Sequence, residues 1–517
     1  MAEPVGVVAA GHPRSAQAGA DVLRDGGNAV DAALAAVLAA FACEPLLTSL
    51  GAGGYMLVVE PGGEPVLLDF FVEAPGRGAD VGSRAELVPV SMSFGDAIQV
   101  FNIGPASAGT YGMPAGVAEA SRRFGRIPLG DLVAPAARLA RDGVELNGPQ
   151  AYVIEILAGI VTSTPECAAL FAPDGRVARA GDVVRQPDLA DALERLGTEG
   201  PAPFYTGDIA GAIVEWLAER GGVVSEPDLA AYAVVDREPI RVMYRGREVV
   251  TNPPPSAGGI LIAHALSLLD TETGPATAHP PDLARVVDTM ERTQAERTPE
   301  FLEGLADPEF VARFLARRSP AARDSQSANR AARSPLGSTT HVAVLDREGW
   351  ACSVTSSNGS CSGVVVPGTG VHLNNMLGEQ DLNPLGFHRN PPGRRLPSMM
   401  SPTVVLREGV PELVLGSAGS NRIRSAILQT IIRVVDDGMP AGDAVQAPRV
   451  HFEDGIVYAE PGIDTASLER AGRAIGRFRE LNLFFGGAQA VVRDRQGRFS
   501  GGGDPRRGGA AMVVDGA

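Results

Sequence analysis

Residues 339–360 read TTHVAVLDREGWACSVTSSNGS, and this stretch decides the fold. Thr339 to Leu345 alternates as a strand, Asp346-Arg347-Glu348-Gly349 reads as a turn, and Trp350 to Ser356 reads as the return strand. If Leu345 faces Trp350, then Thr339 faces Ser356, and the hydroxyls of Thr355, Ser356 and Ser357 lie opposite or diagonal to it. Just upstream, residues 316–338 read ARRSPAARDSQSANRAARSPLGS, small and polar with five arginines and one acid in an otherwise acidic chain. Such a run is expected to be a mobile, exposed linker that delivers a β-hydroxyl residue to the start of a strand.

That placement suggests a specific chemistry. Cutting the Ser338–Thr339 bond gives Thr339 a free α-amine, whose reference pKa is about 7.7–8.0 against about 10.4 for lysine. The amine can then act as general base near neutral pH while the Thr339 hydroxyl attacks an acyl carbon, so one residue supplies nucleophile and base. By spacing alone, a second reading stays open: Thr339-Thr340 simply begins a strand, where Thr is common.

Composition narrows the field. The chain has 517 residues, a prior of two to four domains, with 44% apolar and 21% charged residues. It contains no lysine; all 45 basic residues are arginine. Schiff-base chemistry, the P-loop lysine and the kinase strand lysine are therefore excluded. A net charge of −16 and 5% aromatic residues argue against nucleic acid and anionic membrane as partners. Four cysteines (43, 167, 352, 361) without CxxC spacing make no disulfide framework. The seven histidines are scattered, without HExxH spacing, so no metal site is expected. The N-terminal stretch lacks a basic segment followed by an apolar one, and the longest charge-free apolar run, Ala32 to Cys43, is too short to span a bilayer. The expected location is the cytoplasm.

Toward the N-terminus, Ser15 to Arg24 reads as a helix stopped by Gly26-Gly27. Asn28 then caps a second, Ala-rich helix with Asp31 at its third position. SLGAGGYMLVVEPGGEPVLLDFF follows as a glycine turn, strand, turn and strand. Its glycines precede the strand, which suits close backbone packing and not a dinucleotide loop. Residues 115–300 read as mostly helical, with two strands and a Pro-rich stop in REPIRVMYRGREVVTNPPPSAGG.

Ordered motifs along nearly the whole chain carry a resemblance. They include GGNAVDAALAA at 26–36, EPLLTSLGAGGYMLV at 44–58, GMPAGVAEASRRFGRIP at 112–128 and PAARLARDGVELN at 135–147. FYTGDIAGAIV at 204–214, EPDLAAYAV at 226–234 and NPPPSAGG at 252–259 come next. STTH at 338–341, VVPGTGVHLNN at 365–375, SMMSPT at 398–403, GSAGSNRI at 416–423 and APRVH at 447–451 complete the series. The chain resembles the γ-glutamyltranspeptidase (γ-glutamyltransferase) family of self-cleaving N-terminal-nucleophile (Ntn) hydrolases. The resemblance implies an α+β fold, a four-layer αββα Ntn-hydrolase sandwich. It also implies autoproteolysis into a large chain 1–338 and a small chain 339–517.

By the same resemblance, Thr339 matches the nucleophile and Ser357 a hydroxyl that hydrogen-bonds it. Asn358 matches a substrate-contacting Asn, and Glu379 stands where an Asp binds the glutamyl α-amine. Ser398 keeps the first of two serines that hold the α-carboxylate, while Met399 replaces the second. Gly419 and Ser420 match a Gly-Gly pair whose N–H groups form the oxyanion hole, each donor worth roughly 3 kcal/mol of barrier. The largest departure is Phe71, in the FVEAP stretch at 71–75, where the family's carboxylate-binding Arg is expected; Arg389, Arg394 and Arg395 are candidate replacements.

The expected function is hydrolysis or transfer of γ-glutamyl groups from glutathione-like small molecules through an acyl-Thr intermediate. Phe71 and Met399 favour the alternative, acylase activity on another side chain, as in related cephalosporin acylases, with weak activity on γ-glutamyl-p-nitroanilide. A non-catalytic binder of a small ligand is the reading from a different class. No cofactor is required by the mechanism, and the expected partners are the substrate and the two fragments of the chain themselves.

Overall fold

Asn28 shows how local chemistry starts the architecture. Its side chain accepts from the N–H groups of Val30 and Asp31, and the Asp31 carboxylate accepts from the Asn28 N–H, completing a capping box. The helix it starts, Ala29–Cys43, is buried along its whole length. Small residues make that tolerable: a Cβ on Gly19, in the preceding helix Pro13–Arg24, would lie 2.8 Å from the Ala32 carbonyl oxygen.

The computed structural model describes residues 3–78, 86–93, 98–271, 281–317, 338–383 and 386–516. Of the expected 316–338 linker, residues 318–337 lie outside the described residues. The fold mixes helices with two large antiparallel sheets. One runs Ala510–Asp515, Pro4–Ala10, Ser338–Asp346, Ala351–Gly359, Gly53–Val59, Val66–Phe70, Val235–Arg237. The other runs Phe499–Gly503, Gly487–Arg493, Val410–Ala418, Thr403–Arg407, Arg247–Thr251, Ile240–Tyr244. Helices Ala257–Thr271 and Arg422–Val435 pack against the second sheet.

The strand Ser338–Asp346 is central and meets apolar neighbours on both faces. Val342 and Val344 join the core that contains Leu34, Leu38 and Met56, on the side of the 29–43 helix. Ala343 and Leu345 join the core with Val405, Leu415 and Val491 of the second sheet. Side chains alternate along a strand, so Thr340 points toward the helix and Thr339 toward the second sheet.

The hairpin is present, one residue out of the expected register. Leu345 pairs with Ala351, and Thr339 pairs with Ser357, not Ser356. The turn is a three-residue loop, Arg347-Glu348-Gly349, instead of four. Gly349 takes φ 98°, Asp346 N–H donates to the Trp350 carbonyl (3.1 Å), and Trp350 N–H donates to Asp346 Oδ1 (3.0 Å). Asp346 Oδ2 also accepts from the Ala29 N–H (3.0 Å), tying the hairpin to the helix start. The glycines before the Gly53–Val59 strand serve packing: a Cβ on Gly53 would lie 2.8 Å from the Val72 nitrogen and one on Gly54 2.6 Å from the Thr355 carbonyl oxygen. All four cysteines are buried and unpaired.

Candidate active site

Thr339 and Ser357 face each other across the ladder, and the Thr339 hydroxyl donates to Ser357 Oγ at 3.1 Å. Ser357 Oγ also accepts from the Gly359 N–H at 3.1 Å. A β-bulge makes the second contact: Ser338 pairs with Gly359 and Thr339 with Ser357, leaving Asn358 as the extra residue. The register therefore breaks at the Ser338–Thr339 bond.

The bulge also settles where Asn358 goes. It is fully buried; its N–H donates to the Leu47 carbonyl and its own carbonyl accepts from Asn375 N–H. Its side-chain Oδ1 lies 3.0 Å from Ser49 Oγ, and its Nδ2 faces the His372 carbonyl at 3.5 Å. Asn358 is thus placed behind the strand instead of among the residues lining the cleft, which correspond here to Ser357 and Gly359.

That cleft is lined by Thr339, Ser357, Glu379, Ser398 and Ser420, five of the residues singled out from sequence. Thr339 is only 4% exposed. Ser398 Oγ accepts from the Met400 N–H at 2.9 Å, and its carbonyl accepts from the Ala257 N–H, so the 398–400 segment is pinned to the 257–271 helix. Glu379 Oε1 accepts from the N–H and the hydroxyl of Ser360 (3.0 and 2.8 Å). Burial outweighs those bonds and raises the Glu379 carboxyl to about 7.

Gly419 and Ser420 form the turn before the helix Arg422–Val435. Their φ values are 120° and 53°, and their carbonyls accept from the N–H groups of Arg422 (3.0 Å) and Ile423 (3.1 Å). Gly419 is required sterically, since a Cβ would lie 2.8 Å from Gly486 Cα. Ser420 holds a left-handed conformation that an L side chain adopts at a cost of about 1–2 kcal/mol, and such strain clusters at functional sites.

Three features were not singled out in the sequence. Arg297 lines the cleft; its Nη1 donates to Asn421 Oδ1 (3.2 Å), and Nη2 lies 4.0 Å from Asp381 Oδ1, a second cleft residue. On the opposite face of the strand, Thr340 Oγ1 donates to the Glu44 carboxylate (3.0 and 3.1 Å), whose own value burial raises to about 7. No local motif marks either pair, because each joins segments far apart in the chain. The third, His341, sits between Thr355 Oγ1 (2.8 Å) and Ser353 Oγ (3.4 Å), and burial lowers it to about 3, so it stays neutral.

Phe71 lines the cleft and stacks on Tyr55, centroids 5.4 Å apart. None of the three candidate replacement arginines takes its place there. Arg389 and Arg394 are exposed. Arg395 is buried beneath Phe71, with Nη1 donating to the Phe71 carbonyl (2.6 Å) and ion pairs to Asp69 (3.5 Å) and Glu73 (3.4 Å). Among the described residues no cluster of His, Cys, Asp and Glu could hold a metal, and no helix is long and apolar enough to cross a membrane.

A Thr hydroxyl paired with Ser357 at a strand start, inside a cleft that the strained Gly419-Ser420 turn also lines, defines the class. The chain belongs to the gamma-glutamyltranspeptidase family, whose family model matches residues 15–514. Among relatives, it is 32% identical to the glutathione hydrolase proenzyme of Escherichia coli (strain K12), over 97% of this chain and 90% of that one. It is 30% identical to the acylase ACY 1 proenzyme of Pseudomonas sp. (strain SE83), over 99% and 94%. Its fold is similar to the crystal structure of cephalosporin acylase from Bacillus halodurans, with TM-score 0.83 at 26% identity, covering 100% of this chain and 97% of that one.

Proposed function

We propose that this protein is a self-processing Ntn hydrolase that cleaves or transfers γ-glutamyl or related acyl groups from small-molecule amides. In this reading the chain folds as a four-layer αββα sandwich. Supporting that, the 29–43 helix, the two sheets and the 257–271 and 422–435 helices succeed one another in contact. Cleavage between Ser338 and Thr339 divides it into fragments 1–338 and 339–517, which remain associated because the 338–346 strand is paired on both edges within the first sheet. The proenzyme names of the relatives support the division.

Catalysis then proceeds at one residue. The Thr339 hydroxyl oxygen attacks the amide carbonyl carbon while its proton passes to the freed α-amine. Ser357 orients that hydroxyl. The N–H groups of Gly419 and Ser420 stabilise the oxyanion, a role that needs no glycine at 420 because serine keeps its N–H. Collapse expels the amine with the proton and leaves an acyl ester on Thr339; water or an acceptor amine then attacks the ester and releases Thr339. Glu379 and Ser398 contact the bound acyl group. No step calls for a cofactor.

The observation that carries this reading is the 3.1 Å Thr339–Ser357 hydroxyl pair facing the cleft at the register break. Denaturing electrophoresis tests it: fragments of 338 and 179 residues are expected. A stable full-length band that binds ligands without turnover would favour the non-catalytic reading instead.

A further inference from the structure

Two kinds of side chain line the cleft. One kind is the hydroxyls of Thr339, Ser357, Ser398 and Ser420. The other is apolar: Phe71, Met376, Leu382, Met399, Met400 and Ile423. We propose that the acyl group taken by this enzyme is uncharged and apolar beyond its carbonyl, an alkanoyl or arylacetyl chain that packs on Phe71 and the methionines. The proposal rests on the acyl-transfer reading above and names its substrate class.

Phe71 is a fixed wall. The residue is 1% exposed, and its ring stacks on Tyr55 with an interplanar angle of 24°. Its N–H donates to Asp69 Oδ1 (2.9 Å), while its carbonyl accepts from Tyr232 Oη (2.8 Å) and from Arg395. A ring held from both sides of its backbone is preorganised to receive an apolar chain and loses little freedom on binding. The methionines supply the opposite quality: unbranched and polarizable, they adapt to chains of different length.

The charged groups nearby favour a neutral chain over a carboxylate. The Arg395 guanidinium lies over the Tyr232 ring at 4.4 Å and is engaged with the Phe71 and Ala233 carbonyls and with Asp69 and Glu73. Arg297, the cleft's own guanidinium, donates through Nη1 to Asn421 and lies 4.0 Å from Asp381 through Nη2, while its buried Nε has no hydrogen-bond partner among the described residues. The remaining cleft group, Glu379, is an acid. An anionic acyl chain would therefore find one guanidinium, already shared with Asp381, against two acidic side chains, Asp381 and Glu379, so its desolvation is poorly repaid. An apolar chain gains about fourfold in binding for each methylene it buries.

The test uses the full-length, self-processed enzyme and acyl-p-nitroanilides that share one leaving group: acetyl, butyryl, hexanoyl, phenylacetyl, glutaryl and γ-glutamyl. The expected result is kcat/KM rising about fourfold per methylene from acetyl to hexanoyl, phenylacetyl comparable with hexanoyl, and glutaryl and γ-glutamyl at least about 30-fold below hexanoyl. Phe71→Arg should reverse the order, lowering hexanoyl and raising glutaryl turnover about tenfold. If that variant does not self-process, Phe71→Leu serves instead, and loss of rates on phenylacetyl greater than on acetyl is expected. Processed enzyme that prefers γ-glutamyl or glutaryl over hexanoyl overturns the proposal while leaving acyl transfer intact. Processed enzyme that turns over none of the six amides overturns the acyl-transfer reading, and the proposal with it.

Discussion

The two faces of the 338–346 strand each begin with a threonine and differ in what surrounds it. On one face Thr339 meets Ser357 at a cleft. On the other Thr340 meets the buried Glu44 carboxylate, and Ser356 lies 2.5 Å from Thr48. Hydroxyl pairing alone therefore does not make a nucleophile. What separates the faces is access: the Thr339 side opens onto room for a substrate, while the Thr340 side is sealed by the 29–43 helix and its C-terminal Glu44.

The largest effect that can break this contrast is a pair of truncations. Thr339→Ala should remain a single chain and lose amidase activity at least about 1000-fold, since nucleophile and base vanish together. Thr340→Ala should still self-process, keep kcat within a few-fold, and lose about 1–3 kcal/mol of stability by leaving the Glu44 carboxyl short of a donor. Gels, steady-state rates and thermal melts separate the two.

Ser357→Ala sharpens the same comparison. It removes a hydrogen bond to the reacting oxygen and leaves the cleft shape, so kcat is expected to fall about 10- to 100-fold with KM nearly unchanged. An equal rise in KM would instead assign Ser357 to substrate binding.

Glu44 gives the sealed face a pH signature. Its carboxyl is raised from 4.5 to about 7 in the fold. The native state therefore binds more protons than the unfolded state between those values, and stability falls as pH rises through that window, with the full penalty present above about 7. Glu44→Gln removes the ionisation. Its melting temperature relative to the wild type should climb between pH 4.5 and 8, by the equivalent of about 3 kcal/mol; a pH-independent difference would show that Glu44 does not ionise in place.

The smallest expected effect concerns the turn. Ser420→Gly relieves a left-handed serine, so it should add about 1 kcal/mol of stability and hold kcat within about threefold, because the N–H proposed for the oxyanion remains.

Much of this site was legible before any coordinates. The capping box at Asn28, the Gly53-Gly54 packing and the hairpin all follow from short-range chemistry that a few adjacent residues specify. The register did not, because Asp-Arg-Glu-Gly fits a three- or a four-residue loop, and Gly349 with the Asp346–Trp350 closure decides it. Asn358 illustrates a harder case. The resemblance matches it to a substrate-contacting Asn; in the fold it is the extra residue of a bulge and its side chain meets Ser49. Arg297 and Glu44 were silent in sequence, since their partners Asn421 and Thr340 lie more than a hundred residues away.

The central claim is that Thr339 becomes a chain terminus and carries the acyl group. Peptide mass mapping of purified enzyme quenched during turnover of a slow amide tests it in one step. The account predicts a small fragment beginning at Thr339, with the acyl mass on its first peptide as an ester labile to hydroxylamine. An undivided chain that still turns over the amide, or an acyl mass on any other residue, would contradict it.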